Sequence, residues 1–160
     1  SKRVASQPRI LKYAPYGGLF ISSELIKRIG LPIKDMYLYV DDTEYTWRIT
    51  QDGGKIILVE ESIVIDVDKN WGINYPSPRS ITQLILEDPF FRGFYTIRNH
   101  AFFDRNIWRS NLLLHKLNKL VFLLILFVLS LRFKRLDRFF EVLRAINQGE
   151  SCMLGERLKK

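Results

Sequence analysis

Between Ile107 and Gly149 the chain contains neither glycine nor proline. That commits more than a quarter of it to helix. Leu112 to Leu131 is mostly apolar, and Leu120–Leu131 holds a single polar residue, Ser130. Arg132, Lys134, Arg135 and Arg138 follow, while Leu136, Phe139, Phe140 and Leu143 recur at helical spacing. A helix that crosses a bilayer needs about 20 consecutive apolar residues. Leu120–Leu131 supplies 12, and Lys116, Asn118 and Lys119 interrupt the approach. This pattern predicts a helix lying on, or dipping into, one leaflet, with the basic residues meeting anionic headgroups. A soluble helical hairpin that buries its leucines in the protein or in a partner subunit is the alternative. A full span ranks last.

Charge separates the chain in the same way. Of 160 residues with a net charge of +8, residues 1–91 carry 11 basic and 12 acidic side chains, and residues 92–160 carry 14 and 5. A near-neutral part followed by a basic part points to two jobs, the second facing an anionic surface of phospholipid or nucleic acid. Aromatics interleaved with basic residues over Phe90–Arg109 would suit nucleic acid. The adjoining leucine run has no use for a polyanion, however, and the sequence has no helix-turn-helix, zinc or sheet-platform signature. No nucleic acid is expected as a partner. The apolar content of 47% excludes a disordered chain. Cys152 is the lone cysteine, so neither a disulfide framework nor a thiolate metal site can form. A reducing cytosolic setting and an idle thiol fit. The chain opens at Ser1 without methionine or signal peptide and is expected to be a fragment.

The N-terminal part alternates short elements. Residues 1–16, with Pro8 and Pro15, are expected to be an extended lead-in or loop. Tyr16-Gly17-Gly18 predicts a tight turn, or a backbone that passes close to a ligand. Ser22 or Ser23 caps a short helix that Gly30 stops and Pro32 prevents from restarting. Ile33 to Val40 is expected to be a strand that runs into three carboxylates, Asp41, Asp42 and Glu44. A helix over 42–52 then buries Tyr45 and Ile49. Lys55–Val59 and Ile63–Ile65 are expected to be strands, the second ending in Asp66. Trp71–Arg79 is a loop, and Ser80 caps a helix that ends near Glu87. The order predicts an α/β layer.

Two readings of the acidic cluster stand side by side. Asp41 with Glu44 fits the capping-box spacing, and acids suit the first turn of a helix. Capping does not need Asp42 as well. Carboxylates crowded at a strand end repel one another, so a fold keeps them for a cation, a sugar hydroxyl or a proton.

Several segments taken together carry a resemblance. They are Gly17-Gly18-Leu19-Phe20-Ile21, Ile29-Gly30-Leu31-Pro32, Tyr39-Val40-Asp41-Asp42-Thr43-Glu44-Tyr45-Thr46-Trp47-Arg48 and Tyr95-x-x-Arg98-Asn99. Over roughly residues 13–100 the chain resembles the C-terminal part of inverting family 2 glycosyltransferases of the GT-A fold. The nearest branch is the rhamnosyl- and galactofuranosyltransferase-like enzymes of bacterial cell-surface polysaccharides. The resemblance implies a partial, Rossmann-like GT-A core followed by a C-terminal helical region. It divides the chain into an acceptor-side core at 1–70, a segment packing on that core at 71–110 and a basic, apolar helical region at 111–160.

The resemblance also implies a hexosyltransferase that takes a nucleotide-sugar donor and a glycan or lipid-linked glycan acceptor at the cytoplasmic face of the membrane. Self-association into a homo-oligomer is compatible with it. It places the general base on Asp42, with Asp41 as the fallback. Such a base must lie within hydrogen-bond reach of the proton it removes. Glu44, Gly17, Gly18 and Trp47 fall on the acceptor side. Trp47 could stack on a sugar, but core packing is the favoured reading. Arg98 could reach a diphosphate, but the favoured reading is a structural anchor that pairs with an acid and ties the C-terminal region to the core. The family's metal-holding histidine is matched here by Asp66, a departure that Mg²⁺ or Mn²⁺ tolerates chemically. Asp68 is the substitute ligand. The family's nucleotide-binding half has no counterpart in this sequence, so the divalent cation is expected to be held mostly elsewhere, and these 160 residues alone are expected to be inactive. A non-catalytic module that binds a membrane or partner is the competing reading.

Overall fold

The computed structural model describes residues 8–65, 80–108 and 111–156. In chain order these form β1 (Arg9–Leu11), α1 (Ser23–Ile29), α2 (Asp41–Gln51), β2 (Ile56–Leu58), α3 (Ile81–Leu86) and α4 (Phe91–Phe102). A π-helical turn (Phe103–Ile107), α5 (Leu112–Arg132) and α6 (Leu136–Glu150) complete them. The chain divides into two compact units. One holds residues up to 33 together with 41–67, the other 34–40 together with 68 onward.

In the first unit the local signals act as their chemistry dictates. Ser22 caps α1, its hydroxyl accepting from the Leu25 amide at 3.2 Å. Glu24 lies in the first turn, with Lys27 and Arg28 in the last, matching the helix dipole. Gly30, at φ +80°, ends the helix and donates its N–H to the Ile26 carbonyl. Tyr45 and Ile49, one turn apart, are the buried apolar residues of α2. Its C-terminus closes through Gly53 at φ +84° and the Gly54 amide, which donates to the Ile49 carbonyl at 2.9 Å.

The sheet departs from expectation. β1 pairs antiparallel with β2 in the register Arg9↔Leu58, Ile10↔Ile57, Leu11↔Ile56. The strand at Lys55–Val59 is therefore present as Ile56–Leu58, and its partner comes from the segment read as a loop. Ile33–Val40 is not a strand. Leu38, Tyr39 and Val40 have φ of 56°, 60° and 68°, the left-handed region, which costs a non-glycine residue about 1–2 kcal/mol. Ile63–Ile65 is exposed and unpaired, so its apolarity reports a surface and no ladder. With two short antiparallel strands and the rest helix, the described residues do not by themselves make the α/β layer of a Rossmann-like core.

The second unit is helical. Leu84 and Ile85 of α3, Phe94 and Tyr95 of α4, Leu126 of α5, and Val142, Ala145 and Ile146 of α6 form its buried core, with Phe90 before α4. α4 and α6 approach backbone to backbone at Gly149. A Cβ there would overlap the Arg98 carbonyl and stand 2.9 Å from the Phe102 nitrogen. Residues 80–108, part of the 71–110 segment expected to pack on the core, share one unit with α5 and α6; 71–79 lie outside the described residues.

Residues 34–40 belong to this helical unit as well. The Asn99 amide explains why they turn. Its Nδ2 donates to the carbonyls of Tyr37 (3.3 Å), Leu38 (2.6 Å) and Tyr39 (2.9 Å), while its Oδ1 accepts from Arg98 Nε at 3.1 Å. The Tyr37 ring stacks against Tyr95 at 4.9 Å. One buried side chain, its two N–H bonds shared among them, thus holds three consecutive carbonyls that a strand would have paired, and tertiary bonding overrides β propensity.

α5 runs unbroken through Lys116–Lys119. It is long and apolar enough to cross a membrane by length and composition, with a mean hydropathy of 2.1 over a window that is 6% buried.

Candidate functional site

The three carboxylates fall in the first turn of α2, and the structure gives each a different environment. Asp41 is half-buried. Burial lifts its carboxyl above the usual carboxylate range, the Asp42 charge adds to this, and backbone amides and the Tyr16 hydroxyl pull it back. Asp42 is also half-buried. Its Oδ1 accepts from the Thr43 amide at 2.6 Å and from the Thr43 hydroxyl at 3.3 Å. Its Oδ2 has no hydrogen-bond donor among the described residues. Asp42 therefore has one oxygen engaged locally and one left for an outside group.

Glu44 departs from the acceptor-side expectation. It is 1% exposed. Its carboxylate meets Arg48 one turn on, with Nε 2.7 Å from Oε1 and Nη2 donating to Oε2 at 3.2 Å. Arg48 also donates to the carbonyls of Ile29 (2.7 Å) and Leu31 (2.9 Å). The pair clamps the chain after α1 onto α2, and Glu44 has no free oxygen to offer a substrate. Burial lifts its carboxyl above the usual range, and Arg48 opposes that.

The glycine turn lies beside the acidic turn because Thr46 ties them. Its buried hydroxyl accepts from the Ala14 amide at 3.0 Å and donates to the Asp42 carbonyl at 2.7 Å. Two residues on, Tyr16 to Leu19 forms a turn closed by the Leu19 amide on the Tyr16 carbonyl at 3.0 Å. Gly18, at φ +78°, occupies the position of that turn that a side chain would strain, and a Cβ there would stand 2.8 Å from Val64. Gly17 faces open space.

This arrangement brings in a residue that sequence reasoning missed. The Tyr16 ring packs on Tyr45 with centroids 6.2 Å apart. Burial and the charges of Asp41, Asp42 and Glu44 push its hydroxyl pKa up. Tyr16 stays a neutral donor beside two carboxylates. Its place before Gly17-Gly18 was visible, but only the Ala14–Thr46 tie shows which acids it meets.

The remaining expected residues are described each in its own unit. Trp47 is partly exposed and five residues past Asp42, about 140° around the helix from it. Arg98 belongs to the helical unit and is 2% exposed. Nη1 donates to the Gly155 carbonyl at 2.6 Å, and the guanidinium sits 4.7 Å over the Tyr95 ring. Those contacts are the structural anchor of the two readings, made to a carbonyl and a ring where an acid was expected. Asp66 and Asp68 lie outside the described residues. Among the described residues no group of three or more His, Cys, Asp or Glu is placed to hold a metal ion. A cavity of about 580 Å³ in the first unit is lined by Gly17, Gly18, Phe20, Ile49, Ile56 and Val64 among others, but by none of the three acids. The site on α2 is therefore an open acidic turn flanked by a tyrosine and a glycine turn. It can accept a proton at Asp42, whose Oδ2 no described residue engages, while the Tyr16 hydroxyl meets Asp41.

No family model, curated protein or solved structure matches the chain significantly.

Proposed function

We propose that the chain supplies the acceptor side of an inverting sugar transfer, with Asp42 as general base. The donor is a nucleotide sugar and the acceptor a glycan, free or lipid-linked. The observation that carries this reading is the division of labour in the first turn of α2. Glu44 is consumed by Arg48 and Asp41 meets the Tyr16 hydroxyl, while Asp42 keeps an Oδ2 that no described residue engages. A general base takes the acceptor's proton as the hydroxyl oxygen attacks the anomeric carbon, and the nucleoside diphosphate leaves from the opposite face. The proton ends on Asp42 and no covalent sugar–protein bond forms, so a single turn can hold all that this side of the reaction requires. Tyr16, held neutral, engages Asp41 and leaves Asp42 to meet the acceptor hydroxyl. The family resemblance of the Asp-Asp-x-Glu segment points the same way.

Donor binding and the divalent cation, Mg²⁺ or Mn²⁺, fall to polypeptide other than the residues of this turn. The deciding experiment is radiolabelled transfer from a nucleotide-sugar pool to a glycan acceptor by the full-length gene product, with and without Asp42→Asn. The expected loss in kcat is about 10²–10⁴-fold, the usual weight of a general base, with the circular dichroism unchanged. Retention of activity within about tenfold removes Asp42 from the role.

A further inference from the structure

The helical unit carries a second surface, and it is independent of the sugar-transfer reading. α5 packs along one stripe only. Phe122, Leu123, Leu126, Leu129 and Phe133 face the core, and Leu126 is fully buried. Lys119 and His115, on the same side, turn inward to Glu150 of α6, Lys119 at 2.7 Å and His115 at 3.6 Å. The opposite side is apolar along its whole length. Leu113, Leu117, Leu120, Leu124, Val128 and Leu131 are between 49% and 77% exposed. At 3.6 residues per turn, Lys116 and Asn118 fall on the two flanks between these faces. α5 contains no acidic residue. Lys116, Arg132 and Lys134, exposed at its two ends, form no ion pair with any described residue.

We propose that α5 lies in the plane of an anionic phospholipid surface, its leucine face sunk below the headgroups and Lys116, Arg132 and Lys134 set among them. Two observations select this occupant. The flanking cations are unpaired and bracket the apolar face, the charge pattern of an interfacial helix. The inner stripe fastens α5 to α3 and α6 along its length, and α6 carries Asp137, Arg138, Glu141 and Arg144. Crossing the bilayer would drag those charges into hydrocarbon at about 2.5–3.5 kcal/mol each, whereas lying flat leaves them on the wet side.

The test is flotation of the full chain with vesicles of phosphatidylcholine alone or mixed with phosphatidylglycerol. Binding is expected to the mixed vesicles and to weaken with salt. Each of Lys116→Gln, Arg132→Gln and Lys134→Gln is expected to weaken it about fivefold, the fold-change for one basic residue at such a surface. Leu124→Glu, at a position 56% exposed, is expected to abolish it with the helical circular dichroism retained. Depth is read separately. Fluorophores placed at Leu113→Cys, Leu120→Cys or Leu131→Cys in a Cys152→Ser background should be quenched equally by a shallow lipid-borne quencher. Equal binding to both vesicle types overturns the proposal. So does quenching by a deep quencher confined to position 120, which denotes a span. A dimer in solution that Leu124→Glu dissolves, with no vesicle binding by the native chain, gives the face to a second copy and also overturns it.

Discussion

Glu44 and Arg48 show how one buried pair can take over a residue that chemistry would otherwise claim. In sequence Glu44 is the third acid of a cluster. In the structure it is 1% exposed and spent on Arg48, which also holds the carbonyls of Ile29, at the end of α1, and of Leu31 beyond it. The i,i+4 spacing was legible, but what decides the role is the pair's burial and the carbonyls it reaches, 17 and 19 residues back in the chain. Arg48→Met leaves a buried carboxylate without its partner. The cost at neutral pH is about 3 kcal/mol, the low end for a buried pair because Arg48 keeps 28% of its side chain exposed. The sign of the pH dependence follows from the direction of the Glu44 shift. Its folded-state pKa is raised, so its contribution to stability is fully present below the unfolded pKa and is lost as pH rises through the folded value. Without Arg48 the shift grows, and the penalty should shrink as pH falls from about 7 toward the ordinary glutamate range near 4.3. Amide hydrogen exchange across α2 measures this, and an equal penalty at both ends of that range would contradict it.

At the scale of elements, most helices were legible and, of the strands, only β2 was. Caps at Ser22 and Ser80, the stop at Gly30 and the breaker-free stretch after Ile107 act locally, and α1, α3 and α5 stand where those signals put them, whereas α4 begins without a side-chain cap and gave no such signal. Strands depend on partners. Ile33–Val40 and Ile63–Ile65 have strand composition but no ladder, whereas Arg9–Leu11 has a ladder and sits between prolines. The outer and inner faces of α5 likewise could not be told apart by composition, since both are leucine-rich; packing assigns them. The split predicts unlike costs for two neighbouring leucines. Leu126→Ala removes a fully buried side chain from the core and should cost about 2–5 kcal/mol. Leu124→Ala, two residues earlier and 56% exposed, should change stability by no more than about 0.5 kcal/mol. Thermal melts of the two variants by circular dichroism separate them, and similar losses would mean that the outer face is packed too.

At the scale of the whole molecule, the two units do not follow each other along the chain. Seven residues, 34–40, leave the first unit's sequence and complete the second, held there by the Asn99 amide and the Tyr37–Tyr95 stack. The family resemblance places a boundary near residue 70 and the charge changes near residue 91; neither can show a short excursion fastened by one asparagine 60 residues away. A polypeptide that starts at residue 80 therefore lacks part of its own unit. It should melt below the intact helical unit, and a synthetic peptide spanning 34–40 added in excess should raise its melting temperature, while Asn99→Ala in the truncated chain should abolish that rescue. Modular engineering inherits the same constraint. Anyone grafting this helical region onto a foreign catalytic domain must transplant a heptapeptide from the donor's front half along with it, or the new hybrid will carry an unfilled groove where its own backbone used to thread.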